Sequence, residues 1–254
     1  MQFRPCIDLH EGKVKQIVGS TLGHTDVSVV ENFISQHSPS YYAQMFMKDG
    51  LTGGHVIMLG AGNEQAAIEA LAAYPNGLQV GGGITADNAK QYIDAGASHI
   101  IVTSYIFHEG MLDLDRLTKL VEVVGKEHIV IDLSCRKKDG KWYVMTDKWT
   151  KFSNFEVNAS SISMIEQYCD ELLIHAVDVE GKRSGMQEEL VTDLSNWTNI
   201  PTTYAGGVRS LEDLRKFEKL SDGKLHVTIG SALSIFGGDL LYEDVVSYCE
   251  NNEV

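Results

Sequence analysis

Two aspartates are the strongest candidates for chemistry in this sequence. Asp8 and Asp132 each follow a short apolar run, and each is followed by a leucine. Two carboxyl groups that face each other across one site can act as general acid and general base when their surroundings separate their pKa values. A single aspartate at the end of a strand often just caps the next loop, but two at corresponding positions of a repeat favour catalysis.

Two glycine pairs predict a ligand that carries a phosphate at each end. Glycine lets backbone N–H groups approach a phosphate oxygen closely, and a helix that begins nearby adds a favourable dipole. One pair would be a weak signal because glycine also serves tight turns, but here each pair is followed by a strand that ends in serine. The predicted phosphate-binding residues are Gly82, Gly83, Thr103 and Ser104 in the first half of the chain, and Gly206, Gly207, Gly230 and Ser231 in the second.

A long polar and aromatic segment predicts a lid over the site. Asp139-Gly140 is a strong signal for a β-hairpin turn, and the segment is too long for a plain connection between a strand and a helix. We expect a hairpin over residues 137–149 that is mobile, lacks an apolar face and covers the active face. Trp149 is expected either to stack on an aromatic substrate ring or to pin the hairpin by packing.

Other polar residues are weaker candidates. The nine histidines show neither His-x-His nor HExxH spacing, so we expect no metal site. His175 falls inside a predicted strand and could point into the barrel mouth, but a buried, hydrogen-bonded histidine is the favoured interpretation. Lys13, Lys15 and Arg209 are further candidate partners for phosphate.

The elements that must position these residues are short apolar runs that alternate with longer amphipathic segments. Continuous apolar runs are typical of strands buried on both faces of a parallel sheet. The predicted strands are 3–8, 55–59, 78–81, 100–103, 129–133, 172–177, 202–205 and 227–230. The predicted helices are 40–49, 63–73, 85–95, 112–124, 160–169, 188–196, 210–220 and 242–250, with Asn63 and Ser210 as expected caps.

An internal repeat decides how the strands are arranged. Eight strands and eight helices in about 250 residues suit a (β/α)8 barrel, and a doubly wound open sheet is the rival. Three landmarks recur at a nearly constant offset of about 124 to 127 residues. They are Cys6–Leu9 with Val130–Leu133, Val80–Ile84 with Tyr204–Val208, and Ile101–Ser104 with Thr228–Ser231. The sequence therefore predicts one α/β domain over 1–254, a TIM barrel made of two half-barrels at about 1–125 and 126–254.

Composition and charge restrict the partners. The 254 residues are 43% hydrophobic and 22% charged, as expected of a folded protein, and their formal net charge is −14. So acidic a chain is unsuited to phosphate backbones or anionic membranes, and we expect neither a nucleic acid nor a membrane partner. No apolar run resembles a signal peptide or a membrane span, and the four cysteines lack CxxC spacing. We therefore expect a cytoplasmic protein with reduced thiols.

Several motifs in combination resemble one enzyme family. They are Pro5–Leu9 with Gly12–Val14, Gly81–Ile84, Val102–Ser104, Asp132, Gly206–Arg209 and Ile229–Leu233. With these motifs the chain resembles, over essentially its whole length, the phosphoribosylformimino-aminoimidazole carboxamide ribotide isomerases of histidine biosynthesis. Segments 54–60 and 174–181 look most like the eukaryotic branch. The chain departs from bacterial members at Glu180–Lys182, where they usually have Asp-Gly-Thr, and at Thr85, where they often have arginine.

The resemblance implies an Amadori rearrangement, in which an aminoaldose becomes an aminoketose. It implies that Asp8 and Asp132 are the catalytic pair, which we assign as base and acid respectively. It also implies that Trp149 belongs to the loop that covers the substrate. The expected substrate is a small bisphosphate, the reaction needs no cofactor, and we expect a monomer.

Two other functions stay open. The sister family, the cyclase half of imidazole glycerol phosphate synthase, shares the barrel and both strand-end aspartates, but it would need an ammonia channel and a glutaminase partner. The long lid with Trp149 favours the isomerase over the cyclase. A non-catalytic phosphosugar-binding barrel is the third possibility, although such a protein would be expected to have lost one of the two carboxylates.

Overall fold

The apolar runs form strands and the amphipathic segments form helices that alternate along the chain. The computed structural model describes residues 1–17, 31–180 and 185–251. Its strands are β1 (Cys6–His10), β2 (Lys13–Ile17), β3 (Glu31–Ile34), β4 (Gly54–Met58), β5 (Leu78–Gly81), β6 (His99–Val102), β7 (Phe107–His108), β8 (Met111–Leu112), β9 (Ile129–Lys138), β10 (Lys141–Thr146), β11 (Lys151–Val157), β12 (Glu171–Ala176), β13 (Thr202–Ala205) and β14 (His226–Thr228). Its helices are α1 (Pro39–Lys48), α2 (Glu64–Ala73), α3 (Ala89–Asp94), α4 (Leu114–Val124), α5 (Ala159–Ile165), α6 (Glu188–Trp197), α7 (Leu211–Ser221) and α8 (Tyr242–Asn251). Within the described ranges, no helix is long and apolar enough to cross a membrane.

Eight of the strands close into a parallel barrel. The order around the ring is β1, β4, β5, β6, β9, β12, β13 and β14, and each consecutive pair is parallel. The ring closes where Phe3 bridges Val227 of β14 in parallel and the Arg4 N–H donates to the Val227 carbonyl at 2.9 Å. This closure confirms the predicted (β/α)8 barrel and excludes the open doubly wound sheet. Each half of the chain supplies four consecutive barrel strands, as the internal repeat predicts.

The barrel interior is filled by side chains in layers. One layer is apolar and contains Ile57, Ile101, Val130, Leu173 and Ala205, which come from five different barrel strands. The larger core combines apolar side chains of the helices and of the barrel strands. Because the barrel strands are buried on both faces, their sequences are mostly apolar and do not alternate regularly with polar residues, although a few polar side chains also face the interior.

A polar cluster fills the barrel at the end where the strands begin. Glu171 is 3% exposed and pairs with Arg4. Its carboxylate also accepts hydrogen bonds from Gln79 Nε2 and Thr203 Oγ1, both at 2.9 Å. A buried ion pair needs such additional hydrogen bonds because removing two charges from water costs several kcal/mol per ion, roughly. The stability of the buried ion pair therefore depends on the hydrogen bonds from Gln79 and Thr203.

Two helices are shorter than the sequence predicts. The predicted helix over 85–95 begins only at Ala89, because the Thr85 N–H donates to Asn88 Oδ1 at 2.8 Å and the intervening residues form a turn. Residues 160–169 are helical only as far as Ile165. Local side-chain hydrogen bonds compete with the helix at such positions.

The two predicted helix caps have different outcomes. Ser210 caps α7 as predicted, since its hydroxyl accepts from the Asp213 N–H at 3.1 Å. Asn63 precedes α2, but the prediction that it caps this helix is wrong. Its Oδ1 accepts from the Gly12 N–H at 2.8 Å, so Asn63 joins the loop after β1 to the loop after β4.

The barrel strand β9 continues beyond the barrel into an antiparallel extension. It runs to Lys138, five residues past its predicted end, and pairs with β10, which pairs with β11. Asp139 and Gly140 form the turn between β9 and β10 with φ values of 50° and 79°. Positive φ at both positions is what a type I′ hairpin turn requires, so the predicted hairpin is present.

The hairpin has an apolar face, contrary to the prediction. Trp142 is 4% exposed and Val144 is 2% exposed. The Trp142 indole N–H donates to Asp193 of α6 at 3.2 Å, and Lys137 forms an ion pair with Glu189 of the same helix. The hairpin is therefore packed on α6, and the many polar and charged residues between its apolar ones had concealed this face.

The polar cluster generates a stability prediction. We expect Glu171→Gln to lower the free energy of unfolding by about 3–5 kcal/mol, because it leaves the buried Arg4 guanidinium without its counter-charge. Urea unfolding followed by circular dichroism measures the change. Glu156→Gln, which breaks the surface pair with Lys141, is the matched control and should change stability little. Equal losses in the two variants would contradict the account of the cluster.

Candidate active site

Asp8 and Asp132 lie on opposite sides of the opening formed by the carboxyl ends of the barrel strands, hereafter the mouth. Three barrel strands separate β1 from β9 in either direction around the ring. Both aspartates border a cavity of about 560 Å³, a volume usual for a small-molecule site. The structure thus brings the two sequence-predicted carboxyl groups to one cavity at the end of the barrel where such proteins place their active sites.

A second cavity of about 60 Å³ lies next to the first. The two cavities share the lining residues Asp8, Ile57, His175 and Glu180. These four residues are therefore central, and a ligand that extends from one cavity into the other must pass beside them.

The glycine loops stand at the two ends of this composite site. Gly82, Gly83, Thr103 and Ser104 line the larger cavity, and Gly206, Gly207, Gly230 and Ser231 line the smaller one. The members of both glycine pairs have positive φ, between 70° and 126°, which favours glycine. The side chain of Asn88 holds the first loop in place by donating to the Gly83 carbonyl at 3.0 Å.

Asp8 is half-buried and accepts a side-chain hydrogen bond from the adjacent strand β2. Gln16 of β2 donates its side-chain N–H to Asp8 Oδ2 at 3.0 Å. Burial, together with the nearby Glu180 carboxyl group, raises the pKa of Asp8 to about 7, although His175 and the Gln16 hydrogen bond oppose the shift. A carboxyl group with a pKa near neutrality can both take up and release a proton at physiological pH.

Asp132 is paired with His175 of the neighbouring strand β12. The distance from His175 Nδ1 to Asp132 Oδ1 is 2.8 Å, and the parallel register that places Asp132 opposite Leu173 brings the two side chains together. Burial lowers the pKa of His175, but Asp132 next to it and Glu180 and Asp8 further away outweigh burial and raise this pKa to about 9. His175 is consequently a cation at neutral pH.

Glu180 is a third carboxyl group in the mouth. It follows β12 and lines both cavities. Burial raises its pKa, while the His175 cation opposes the shift. The Gly206 backbone passes close by, since a Cβ built at Gly206 would lie 3.3 Å from Glu180 Oε2. The mouth therefore holds three carboxyl groups and one imidazolium. Because these groups are close together, the protonation of each one affects the protonation of the others.

Trp149 lies over His175 at the side of the larger cavity. The two ring centroids are 6.3 Å apart with the planes inclined by 42°. The tryptophan stands in the turn between β10 and β11, where Asp147, Lys148 and Trp149 all have left-handed φ values of 50° to 67°. Such backbone conformations cost non-glycine residues roughly 1–2 kcal/mol each. Arg136 helps to hold the turn by donating to the Trp149 carbonyl at 3.3 Å.

Only the second part of the predicted lid segment 137–149 borders the cavity. Residues 144–149 line the larger cavity, whereas the Asp139-Gly140 turn does not. The turn that borders the cavity is thus the second turn of the extension, which contains Trp149, whereas the tip of the predicted hairpin does not line the cavity. Packing of Trp142 on α6 sets this orientation, and no local sequence signal reveals it.

Three residues of the site were not predicted as functional. His175 is hydrogen-bonded, as expected, but it is half-buried and lines the mouth, which was only the less favoured interpretation of this residue. Gln16 and Glu180 were not assigned to the site. Glu180 could have been found, because it stands where bacterial relatives of the resembled family carry aspartate. Gln16 could not, because it belongs to a strand outside the barrel. Lys15 and Arg209, two candidate phosphate partners, pair with Glu11 at 2.7 Å and Asp213 at 3.5 Å respectively.

The arrangement suits proton transfer on a small ligand. Opposed carboxyl groups and a histidine surround the centre, and backbone N–H groups of glycine loops are available at both ends. Among the described residues there is no group of three or more His, Cys, Asp or Glu side chains that could hold a metal ion. Fold and site together define a (β/α)8-barrel protein with a cavity at the carboxyl ends of its strands that is bordered by carboxyl groups and a histidine.

Comparison with known proteins identifies the family. The family model described as "Histidine biosynthesis protein" matches residues 2–239. The chain belongs to this histidine biosynthesis family, which confirms the resemblance seen in its motifs.

Three curated relatives cover the chain almost completely. The chain is 52% identical to a protein of Medicago truncatula over 100% of this chain and 83% of the relative. It is 48% identical to one of Yarrowia lipolytica over 98% of each chain, and 46% identical to one of Saccharomyces cerevisiae over 99% of this chain and 98% of the relative. All three relatives are named 1-(5-phosphoribosyl)-5-((5-phosphoribosylamino)methylideneamino) imidazole-4-carboxamide isomerase, and the plant protein is described as chloroplastic.

The first glycine loop generates a binding prediction. We expect Gly83→Ala to raise the KM for a bisphosphate substrate by about tenfold or more, the loss of roughly one hydrogen bond to a charged group. A Cβ there meets nothing within 4 Å, so it would project into open space without a steric clash, and the positive φ is its only cost to the fold. Gly82 is a poorer probe, because its Cβ would overlap the Met58 carbonyl.

Gly62→Ala is the matched control for this measurement. Gly62 also has a positive φ, at 81°, and open space around its Cβ position, but it does not line the cavity. Both variants should lose similar stability from backbone strain. Equal KM values in the two variants would exclude the first loop from substrate binding.

The position of Trp149 generates a prediction about the lid. We expect a bound product analogue to slow amide hydrogen exchange at residues 146–150, which adjoin the cavity, and to leave the Asp139-Gly140 turn unchanged. Hydrogen exchange followed by mass spectrometry on overlapping peptides measures both segments. Protection at residues 139–140 without protection at 146–150 would restore the hairpin tip as the covering element.

Proposed function

We propose that this protein is the histidine-biosynthesis isomerase that converts the phosphoribosyl aminoaldose ProFAR to the aminoketose PRFAR by an Amadori rearrangement. The observation that carries the proposal is the opposition of Asp8 and Asp132 across a cavity with glycine loops at both ends. The names of the relatives support it, because they describe an isomerase of an imidazole carboxamide that bears two phosphoribosyl groups.

The shape of the substrate agrees with the composite site. Each phosphoribosyl group ends in a phosphate, so one molecule presents two anionic ends. We assign one phosphate to Gly82, Gly83, Thr103 and Ser104, and the other to Gly206, Gly207, Gly230 and Ser231. The N–H groups of such loops are suited to bind phosphate locally, which a chain of net charge −14 requires. The reacting ribose then lies between the ends, next to the central residues.

The reaction divides between the two sides of the mouth. Protonation of the ribose ring oxygen opens the ring and forms a protonated Schiff base, after which a base removes the proton on C2. We assign Asp8 as the base, because a pKa of about 7 makes a substantial fraction of this carboxyl group available as carboxylate at neutral pH. The acid step belongs to the opposite side, where Asp132 lies.

Trp149 has a separate part in this proposal. Its indole is placed at the edge of the cavity, where it can stack on the imidazole ring of the substrate. A stacked ring would also exclude water from the protonated Schiff base, which would otherwise hydrolyse.

The isomerase is favoured over the cyclase-type lyase. A cyclase would need an ammonia passage along the barrel, but buried Arg4, Gln79, Glu171 and Thr203 fill the barrel interior at the end where the strands begin. The retention of both Asp8 and Asp132 disfavours a non-catalytic sugar-binding barrel. In the proposed role the protein needs a small bisphosphate substrate and no cofactor, and acts as a cytoplasmic monomer.

The base assignment generates an activity prediction. Asp8→Asn should bind the purified bisphosphate substrate but isomerise it about 10²–10⁴-fold more slowly, because the amide cannot accept the C2 proton. In the unmodified protein, kcat/KM should fall as the pH drops below about 7, since Asp8 must be ionised to act. Asp94→Asn, on the exposed pair with Lys90, is the control and should retain full activity. Wild-type protein without isomerase activity would refute the proposed function.

The same variant separates catalysis from a structural role. The pKa of Asp8 is higher in the folded protein than the ordinary value of 3.8, so ionisation of Asp8 destabilises the fold increasingly as the pH rises through the range up to about 7. Asp8→Asn removes this penalty. Its melting temperature at pH 8 should therefore equal or exceed that of the wild type, whereas a clear decrease would show that Asp8 stabilises the fold.

A further inference from the structure

We propose that His175 is the catalytic acid of this site and that Asp132 is a positioning residue which acts through it. The inference rests on the proposed isomerase function. It changes the assignment made from the sequence, in which Asp132 itself donates the proton to the ribose ring oxygen.

The positions of the two residues favour His175 as the group that touches the ribose. His175 lines both the larger and the smaller cavity, whereas Asp132 lines only the larger one. A bisphosphate that spans the two glycine loops has its ribose where the cavities meet. His175 lies there together with Asp8, and the Asp132 carboxylate contacts the Nδ1 edge of its ring.

The hydrogen bond to Asp132 leaves one donor for the substrate. His175 Nδ1 lies 2.8 Å from Asp132 Oδ1, so this edge of the ring is engaged. A protonated imidazole carries a second N–H at Nε2, on the other edge of the ring. A carboxylate behind a histidine fixes the orientation of the ring and stabilises its cationic form, as in hydrolases whose histidine is oriented by an aspartate.

The groups around His175 keep it protonated. Asp132 on β9, Asp8 on β1 and Glu180 after β12 face it and favour the cation. His55 on β4 also faces it, but burial lowers the pKa of His55 well below its usual value, so His55 is neutral. Asp132 makes the largest contribution that favours the cation and contacts the Nδ1 edge of the ring, so its place is that of a group that orients and stabilises the imidazolium.

The proton transfers balance with His175 and Asp8 as the two active groups. The His175 Nε2–H protonates the ring oxygen, the C1–O bond breaks, and the nitrogen lone pair forms the C=N bond of the Schiff base. The Asp8 carboxylate takes the C2 proton, and the electrons of that C–H bond form the enolamine. Protonated Asp8 then returns a proton to C1 while the C2 hydroxyl gives its proton to neutral His175. Product forms with both groups in their starting states.

The test compares the pH dependence of kcat/KM in three site variants, His175→Asn, Asp132→Asn and Glu180→Gln, with a control described below. His175→Asn keeps a side-chain N–H for Asp132 but has no titratable proton, and it should lower kcat by about 10²–10⁴-fold with little change in KM. Asp132→Asn removes the charge that most favours the histidine cation. It should remain active at pH 6, and its alkaline limit should move from about pH 9 to lower pH by about 1–3 units.

The chain offers a matched control for the histidine variant. His99 pairs with Asp170 at 3.3 Å near the opposite end of the barrel, and its side chain is 20% exposed compared with 19% for His175. His99→Asn should therefore leave kcat/KM unchanged at every pH. Circular dichroism confirms that the variants are folded.

The outcomes distinguish His175 from Asp132 and Glu180 as the group that donates the proton. Near-normal kcat in His175→Asn, or an Asp132→Asn variant that is inactive at every pH, would overturn the proposal in favour of Asp132. Complete loss of activity in Glu180→Gln with a normal alkaline limit in His175→Asn would assign the proton to Glu180 and overturn it as well. An independent readout needs no substrate: the ¹⁵N spectrum of His175 in the wild type should show both ring nitrogens protonated at pH 7.5. A neutral imidazole there would contradict the inference even if the isomerase activity is present.

Discussion

The closure of eight parallel strands into a ring is the constraint on which the site depends. The pairing of Phe3 with Val227 joins the last barrel strand to the first. Once the ring is closed, β1 and β9 must lie opposite each other, and the aspartates near their carboxyl ends face one cavity. An open sheet of the same strands would place Asp8 and Asp132 far apart along its edge. The two-fold repeat of the chain is therefore directly related to the chemistry, because it supplies one carboxyl group and one glycine loop in each half.

Crowding of charge in a buried mouth is the second physical factor. Asp8, Asp132 and Glu180 would repel one another as three carboxylates, and the structure relieves this repulsion in two ways. Burial and the neighbouring Glu180 raise the pKa of Asp8 to about 7, so that it is often protonated. His175 supplies a positive charge next to Asp132. The result is one group that readily takes a proton and another that holds one, which is what an aldose–ketose isomerisation requires.

Sequence reasoning succeeded where local patterns and the repeat determine the outcome. Apolar runs located all eight barrel strands, and the repeat placed Asp8 and Asp132 at equivalent strand ends. Sequence patterns were misleading where a residue far away in the chain forms the hydrogen bond or packing contact that a local pattern assigns to a neighbour. Asn63 has the residue type of a helix cap, but it bonds the Gly12 N–H, which the fold brings close. The Asp139-Gly140 turn was correctly predicted, yet packing of Trp142 on α6 determines that a different turn borders the cavity.

The hydrogen-bond partners of the predicted residues could not be predicted from the sequence either. Gln16 reaches Asp8 from the adjacent hairpin strand β2, and the contact between His175 and Asp132 depends on the register of β9 against β12. Such pairs follow from the closed ring and its strand register, neither of which a single sequence specifies residue by residue. The pKa values that divide the work between the groups depend on these contacts, so acid and base could not be assigned from residue types alone.

A crystal structure with a bound, unreactive bisphosphate analogue of the substrate tests the central claim most directly. The account predicts one phosphate on the N–H groups of the loop at Gly82 and Gly83 and the other on the loop at Gly206 and Gly207. It also predicts the ribose-derived carbons between Asp8 and His175, within hydrogen-bonding distance of both side chains. A ligand that leaves either glycine loop without a phosphate, or whose ribose lies away from Asp8 and His175, would contradict it.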